Sequence, residues 1–260
     1  MGNNLPYIDL VFALSATSNN LPQTYDLMKN TIKKFIDKYG VDKTHYSFIV
    51  FGNQVIRVVN FNHTFPPNAN ELKAALDAQA PLSSGPILKN VLLEAFRIFN
   101  ETIDRTNAMK VLVVITDKNS GANKDSLAMS VRPMEDNGVL VISVAIGDVN
   151  RSELLVISPS PPDVISVDRD VEPLTLAERI MGRILRKAKF IFKKYRSILL
   201  LTNLNHQQRW FGKLVTVKKF KSCVWLIRTL STNNRDGKGG FQTEKKTRER
   251  TRSWHVVTNI

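Results

Sequence analysis

The chain has 260 residues, 43% of them hydrophobic, an ordinary share for a soluble globular protein and enough for one large domain with an appendage. Its formal charge of +14 is confined to one end: residues 1–186 carry 19 Lys+Arg against 20 Asp+Glu, a net of −1, and residues 187–260 carry the other 18 basic and 3 acidic residues, a net of +15. A single cysteine, Cys223, excludes an internal disulfide, and the sequence has neither a run near the ~18 apolar residues needed to span a bilayer nor a signal-peptide pattern.

The first element is the apolar run Leu10–Leu14, which ends in the oxygen-rich Ser15-Ala16-Thr17-Ser18. A continuous apolar run bounded by polar turn residues is the pattern of a parallel strand covered on both faces. Thr24 to Tyr39 has Leu27, Met28, Ile32, Phe35 and Ile36 at helical spacing, with Gly40 as its stop. Tyr46–Phe51 and Val55–Asn60 flank Gly52-Asn53, which predicts a hairpin at a sheet edge. A polar connection with Pro66-Pro67 leads to a short helix near Glu71–Asp77 and then a longer one over Ile87–Phe99, with Pro86 suited to its first turn.

Val111–Thr116 is a second buried strand, closed by Asp117. A helix over roughly Asp125–Asp136, a buried strand Val139–Ile146, a short Ser152–Val156 helix, a strand Val164–Val167 and a helix from Pro173 to about Arg186 follow. Strand and helix alternate throughout, which predicts an α/β fold: a doubly wound, mostly parallel sheet with helices on both faces. Ligands of such sheets bind beyond the carboxyl ends of the strands, so the oxygen clusters after Leu14 and Thr116 share one candidate site.

Beyond Lys187 the pattern degrades. Phe190–Leu201 has the composition to prolong the last helix, Val215–Leu230 is apolar but irregular, and Asn233–Arg252 is rich in Gly, Lys, Arg and Thr. This basic tail is expected to be largely irregular or disordered, and it holds all three tryptophans, Trp210, Trp225 and Trp254. With Lys213, Lys218, Lys219 and Lys221 interleaved among aromatic residues, it invites non-specific polyanion contact at low salt.

The segments Ile8–Leu14, Val111–Asp117, Gly138–Gly147 and Leu154–Pro159, in this order and spacing, resemble the von Willebrand factor type A domain. The resemblance covers about residues 6–187 and leaves 188–260 as the tail. It implies a Rossmann-like sheet and a non-enzymatic adhesion module of extracellular-matrix or cell-surface type, secreted where the chain is a fragment lacking its signal peptide. The implied partner is a protein ligand, with no small-molecule substrate. Many members hold Mg²⁺ through an Asp-x-Ser-x-Ser pattern, a Thr and a further Asp. Those positions fall here on Ser15, Thr17 and Asn19, on about Gly85, and on Asp117, so only Asp117 is kept as written. Mg²⁺ prefers an octahedral oxygen shell anchored by one or two carboxylates. With one carboxylate left, this degenerate site is expected to bind Mg²⁺ weakly or not at all, with no other cofactor.

Other chemistry finds little support. No Gly-x-Ser-x-Gly nucleophile elbow occurs, no glycine-rich phosphate loop follows the first strand, and His45, His63, His206 and His255 are scattered. Asn62, Asn100 and Asn150 begin glycosylation tripeptides, about the number chance supplies. The alternative from another class is an intracellular scaffold whose basic tail binds nucleic acid or an anionic membrane.

Overall fold

The computed structural model describes residues 6–16, 22–61, 66–83, 85, 88–101, 105 and 107–207, with side chains described as far as residue 190. Chain contacts divide the molecule into a unit over 1–213 and another over 214–260, and the second lies outside the described residues. The expected irregularity of the tail therefore falls, from residue 208 onward, outside them too.

The elements follow the expected order: β1 (Tyr7–Ser15), α1 (Pro22–Tyr39), β2 (Thr44–Phe51), β3 (Val55–Val59), α2 (Ala69–Asp77), α3 (Leu88–Glu101), β4 (Ala108–Thr116), α4 (Lys124–Asp136), β5 (Leu140–Ile146), α5 (Arg151–Ile157), β6 (Val164–Val167) and α6 (Pro173–Gln207). The six strands form one sheet in the order β3-β2-β1-β4-β5-β6. Only the β2–β3 pair is antiparallel, which is the hairpin expected around Gly52-Asn53, and β3 forms one edge. The sheet is therefore the doubly wound, mostly parallel type.

Side-chain alternation explains why β1 is apolar from Leu10 to Leu14. Ile8, Leu10, Phe12 and Leu14 face one layer, with Met28, Ile32 and Phe35 of α1, Leu72 of α2 and Ile180 of α6. Val11 and Ala13 face the other, with Val91 and Leu92 of α3, Leu127 of α4 and Leu154 of α5. Each strand residue has a covered face to fill, so no polar residue interrupts the strand between Asp9 and Ser15. Phe12 is fully buried and meets Phe35 edge-on, with ring centroids 5.4 Å apart at 80°, a geometry that aromatic pairs favour.

Local chemistry sets the ends of the helices. Asn68 caps α2 by accepting from the Asn70 and Glu71 amides, while Glu71 returns a bond to the Asn68 amide at 3.0 Å, a complete capping box. Asn123 and Asn150 cap α4 and α5 in the same way through their side-chain oxygens. The closing helix differs from the expected end at about Arg186: α6 runs on to Gln207. The shift in charge at Lys187 is not a structural stop, because Lys, Arg and Leu are all good helix formers and no Gly or Pro intervenes.

At the amino-terminal end of β1, Asp9 is 3% exposed and pairs with Arg105, whose Nε and Nη2 donate to Asp9 Oδ1 at 2.8 and 2.6 Å. The same Nη2 donates to the Ile8 carbonyl at 2.7 Å, and the guanidinium lies 5.7 Å from the Tyr7 ring centroid. This clamp ties the segment before β4 to the central strand.

Candidate functional site

The carboxyl ends of β1 and β4 meet at the same level. Leu14 pairs with Ile115, so Ser15 and Thr116 are the next step on adjacent strands, and Asp117 lies one residue beyond. Ser15 is fully buried, and its Oγ makes no hydrogen bond among the described residues. Asp117 is 9% exposed and is not without a partner. Thr17 and Asn19, the other two expected ligands, lie outside the described residues.

Gly85, where the resemblance aligns a Thr, is exposed, has φ +124° and has open space around it. That backbone conformation favours glycine. The missing hydroxyl is thus matched to the shape of the loop, and a Thr there would be strained.

The surrounding loops are tied together by bonds that sequence patterns do not display. Thr116 Oγ1 donates to the Lys118 carbonyl at 2.8 Å and accepts from the Lys118 amide at 3.2 Å, which fixes the turn carrying Asp117. The Asn150 amide donates to Asn119 Oδ1 at 2.6 Å, joining the loop after β4 to that after β5. Glu153, 8% exposed in the first turn of α5, accepts from the Ser120 amide at 2.9 Å and from the Ser120 hydroxyl. In sequence, an acidic residue at that place reads as a companion of the helix dipole; only the folded chain brings Ser120 to it.

On the other side of Ser15, the Leu82 amide donates to the Ala16 carbonyl at 2.5 Å and the Ala16 amide to the Phe51 carbonyl at 2.8 Å. Ala16, Tyr25 and Val50 form a small apolar cluster, with Leu82 packed against it. Tyr25 is 3% exposed, its hydroxyl has no partner among the described residues, and burial, reinforced by the Asp26 charge, pushes its pKa up to about 12. Gly52 fits under the crossing segment because it has no side chain: a Cβ there would stand 2.7 Å from both Leu82 Cβ and the Ser83 carbonyl.

Of the expected ligands, the described residues bring the Ser15 hydroxyl and the Asp117 carboxylate to this edge, and among the described residues no three His, Cys, Asp or Glu side chains gather to hold a metal. A divalent ion here would draw on Asp117 for charge and on Ser15 Oγ, with Thr17 and Asn19, for neutral oxygen.

The sequence pattern of the von Willebrand factor type A domain matches residues 9–177. Among curated proteins, the mouse (Mus musculus) collagen alpha-4(VI) chain is 21% identical over 174 residues, covering 66% of this chain and 7% of that protein. Matrilin-1 of Gallus gallus is 24% identical over 164 residues, covering 59% of this chain and 31% of its own length. The chain thus spans less than a third of either relative. Among solved structures, proximal thread matrix protein 1 from the mussel byssus superimposes with a TM-score of 0.58 at 23% identity, over 66% of this chain and 44% of that one. A further structure of that byssus protein has a zinc-occupied MIDAS motif.

Proposed function

Because the chain belongs to the von Willebrand factor type A domain family, we propose that it is a non-enzymatic adhesion and protein-interaction module of extracellular-matrix or cell-surface type, working with weak or no metal dependence. The observation that carries the reading is the match over residues 9–177 together with relatives that are matrix proteins, collagen VI and matrilin. The interaction domain spans residues 6–187 on this reading, and 188–260 is a basic appendage to it. An extracellular setting is consistent with the relatives. Among the described residues, no helix is long and apolar enough to cross a membrane.

The degenerate metal site is part of the same proposal. Ser15, Thr17, Asn19 and Asp117 would supply one negative charge, against the one or two carboxylates plus waters that usually hold Mg²⁺. Ligand binding on this reading uses the loops at the carboxyl edge of the sheet, held by the Asn119–Asn150 and Ser120–Glu153 bonds, without a metal bridge to the partner.

The test is binding of the full chain to immobilised purified matrix proteins, a collagen, a fibronectin and a laminin, at 150 mM salt with either Mg²⁺ or EDTA. Saturable binding to at least one of them, unchanged by EDTA and by Asp117→Ala, is the expected result. Binding abolished by EDTA would refute metal independence. Absence of saturable binding to all three, with hydrolytic activity lost on Asp117→Ala, would refute the adhesion reading.

A further inference from the structure

β6 is the edge of the sheet opposite β3, and two arginines from different helices meet on its one exposed residue, Ser166. Arg151, the first residue of α5, donates through Nη1 to Ser166 Oγ at 3.2 Å and to the Val164 carbonyl at 3.3 Å, and through Nη2 to the Pro161 carbonyl at 2.9 Å. Arg179 of α6 donates through Nη2 to the Ser166 carbonyl at 3.2 Å. Both arginines are exposed.

These bonds orient the two guanidinium groups without neutralising them. The arginines that pair with a carboxylate among the described residues are Arg57, Arg97 and Arg105, whereas Arg151 and Arg179 meet neutral oxygens. A guanidinium has five N–H donors. Arg151 uses three, which leaves one on Nε and one on Nη2, and Arg179 uses one. A fork whose orientation is already set loses little freedom when its remaining donors take an oxyanion. The charge continues along α6, where Arg183 and Arg186 follow Arg179 at i+4 and i+7 on one face, over about 10 Å. Burial, then the charges of Arg186 and Arg179, hold the Arg183 guanidinium below its usual pKa, with Asp163 offsetting part of this. Two other nearby carboxylates are engaged elsewhere: Glu178 pairs with Lys38, and Glu172 accepts from the Thr175 amide.

We infer that Arg151 and Arg179, together with Ser166 Oγ, form a sulfate-ester site on the lateral edge of the sheet, which Arg183 and Arg186 extend into a track for a sulfated polysaccharide. Sulfate groups repeat along such a chain as the guanidinium groups repeat along α6. A nucleic acid carries similar charge, but residues 151–189 contain no Phe, Tyr or Trp on which a base could stack. An added peptide strand would meet carbonyls that are already taken. A sulfated sugar chain needs neither a stacking ring nor a free strand edge. The site uses other side chains than the ligand loops at the carboxyl edge, so the inference stands whether or not those loops bind a protein.

The experiment is equilibrium binding of the full chain to size-defined heparin at about 0.15 M salt, with fully desulfated heparin and duplex DNA as comparison ligands. Two variants accompany it: R151Q/R179Q, and K213E/K218E/K219E/K221E, which removes basic charge from the tail. The expected result is heparin binding weakened about ten-fold, with a shallower salt dependence, in R151Q/R179Q and changed by about two-fold or less in the tail variant. On the unmodified sequence, labelling of arginines with a phenylglyoxal reagent, read by peptide mass spectrometry, should show Arg151 and Arg179 protected by heparin; this readout decides the matter if R151Q/R179Q lowers the thermal midpoint. Binding unchanged in R151Q/R179Q, binding lost in the tail variant alone, or equal labelling of both arginines with and without heparin would overturn the assignment. Desulfated heparin or duplex DNA binding as tightly as heparin would overturn the sulfated-sugar class.

Discussion

The Asp9–Arg105 clamp allows a worked test of how the central strand is held. Arg105→Ala removes two charge-assisted hydrogen bonds to Asp9 Oδ1, of 2.8 and 2.6 Å, and one of 2.7 Å to the Ile8 carbonyl, and it leaves a carboxylate that is 3% exposed. Breaking a buried pair from one side costs about 3–5 kcal/mol. Asp9 keeps other interactions, so the lower end applies, about 3 kcal/mol, or roughly 6–12 °C in Tm for a domain of this size. Asp9→Ala should cost less, about 1.5–2 kcal/mol, because Arg105, whose side chain is 20% exposed, can turn to water. The double variant should then fall short of the sum by about 1–2 kcal/mol. Urea unfolding followed by circular dichroism near 222 nm is the suitable assay, because it reads the helices and the sheet that the described residues form. An Arg105→Ala cost below about 1 kcal/mol, or additivity within about 0.5 kcal/mol, would refute the clamp.

Three further outcomes follow from the structure. Thermal unfolding with 1 mM Mg²⁺ or Mn²⁺ should shift the midpoint by less than about 1 °C, since ion binding stabilises by RT ln(1 + [L]/Kd) and a Kd above about 5 mM leaves roughly 0.1 kcal/mol; a larger saturable shift abolished by Asp117→Ala would mean that the site works. Gly52→Ala should destabilise by about 1–3 kcal/mol through overpacking against Leu82 Cβ and the Ser83 carbonyl, measured by the same urea curve; a neutral result would mean that the crossing segment moves freely. Burial raises the pKa of Tyr25 to about 12 and also raises those of Tyr39 and Tyr46. The unfolded chain therefore loses these phenolic protons before the folded chain does, and stability present below about pH 10 should fall as pH rises toward 12, by roughly 1–3 kcal/mol for Tyr25 alone before any local opening; a 295 nm titration in which every tyrosine ionises near pH 10 with the fold intact would refute this.

The parts of the fold that sequence displays best are those with one physical cause. β1 and β4 are unbroken apolar runs over Leu10–Leu14 and Val111–Ile115, and β5 is apolar but for Ser143, because both faces are covered. The hairpin declares itself through Gly52-Asn53, whereas the caps Asn68, Asn123 and Asn150 that set three helix starts come to light only in the structure. The end of α6 is less legible because the charge changes where the helix propensity does not. Ser15 and Asp117 stand at strand ends, as expected. What the sequence hides is the bracing around them: Glu153 is 33 residues from Ser120, Asn150 is 31 from Asn119, and neither pair has a local pattern to announce it.

The open edge at β6 narrows the routes by which a partner can bind. An edge strand presents unpaired backbone groups to any incoming strand. Here two of those carbonyls are already engaged: Val164 accepts from Arg151 Nη1 at 3.3 Å, and Ser166 accepts from Arg179 Nη2 at 3.2 Å. Arg151 also reaches the Ser166 hydroxyl at 3.2 Å and the Pro161 carbonyl at 2.9 Å, so one guanidinium spans the approach to the strand. A peptide adding to β6 would have to displace both arginines and re-satisfy their donors, which sets a cost against strand addition. The loops after β4 and β5 carry the opposite signature, since their mutual bonds hold them in place while Lys118 and Asn119 remain partly or fully exposed. On the proposed adhesion reading, a protein ligand is expected at the carboxyl edge of the sheet and not on β6, so substitutions at Asn119 should weaken its binding more than Arg151→Ala does, as measured by equilibrium binding of the two variants.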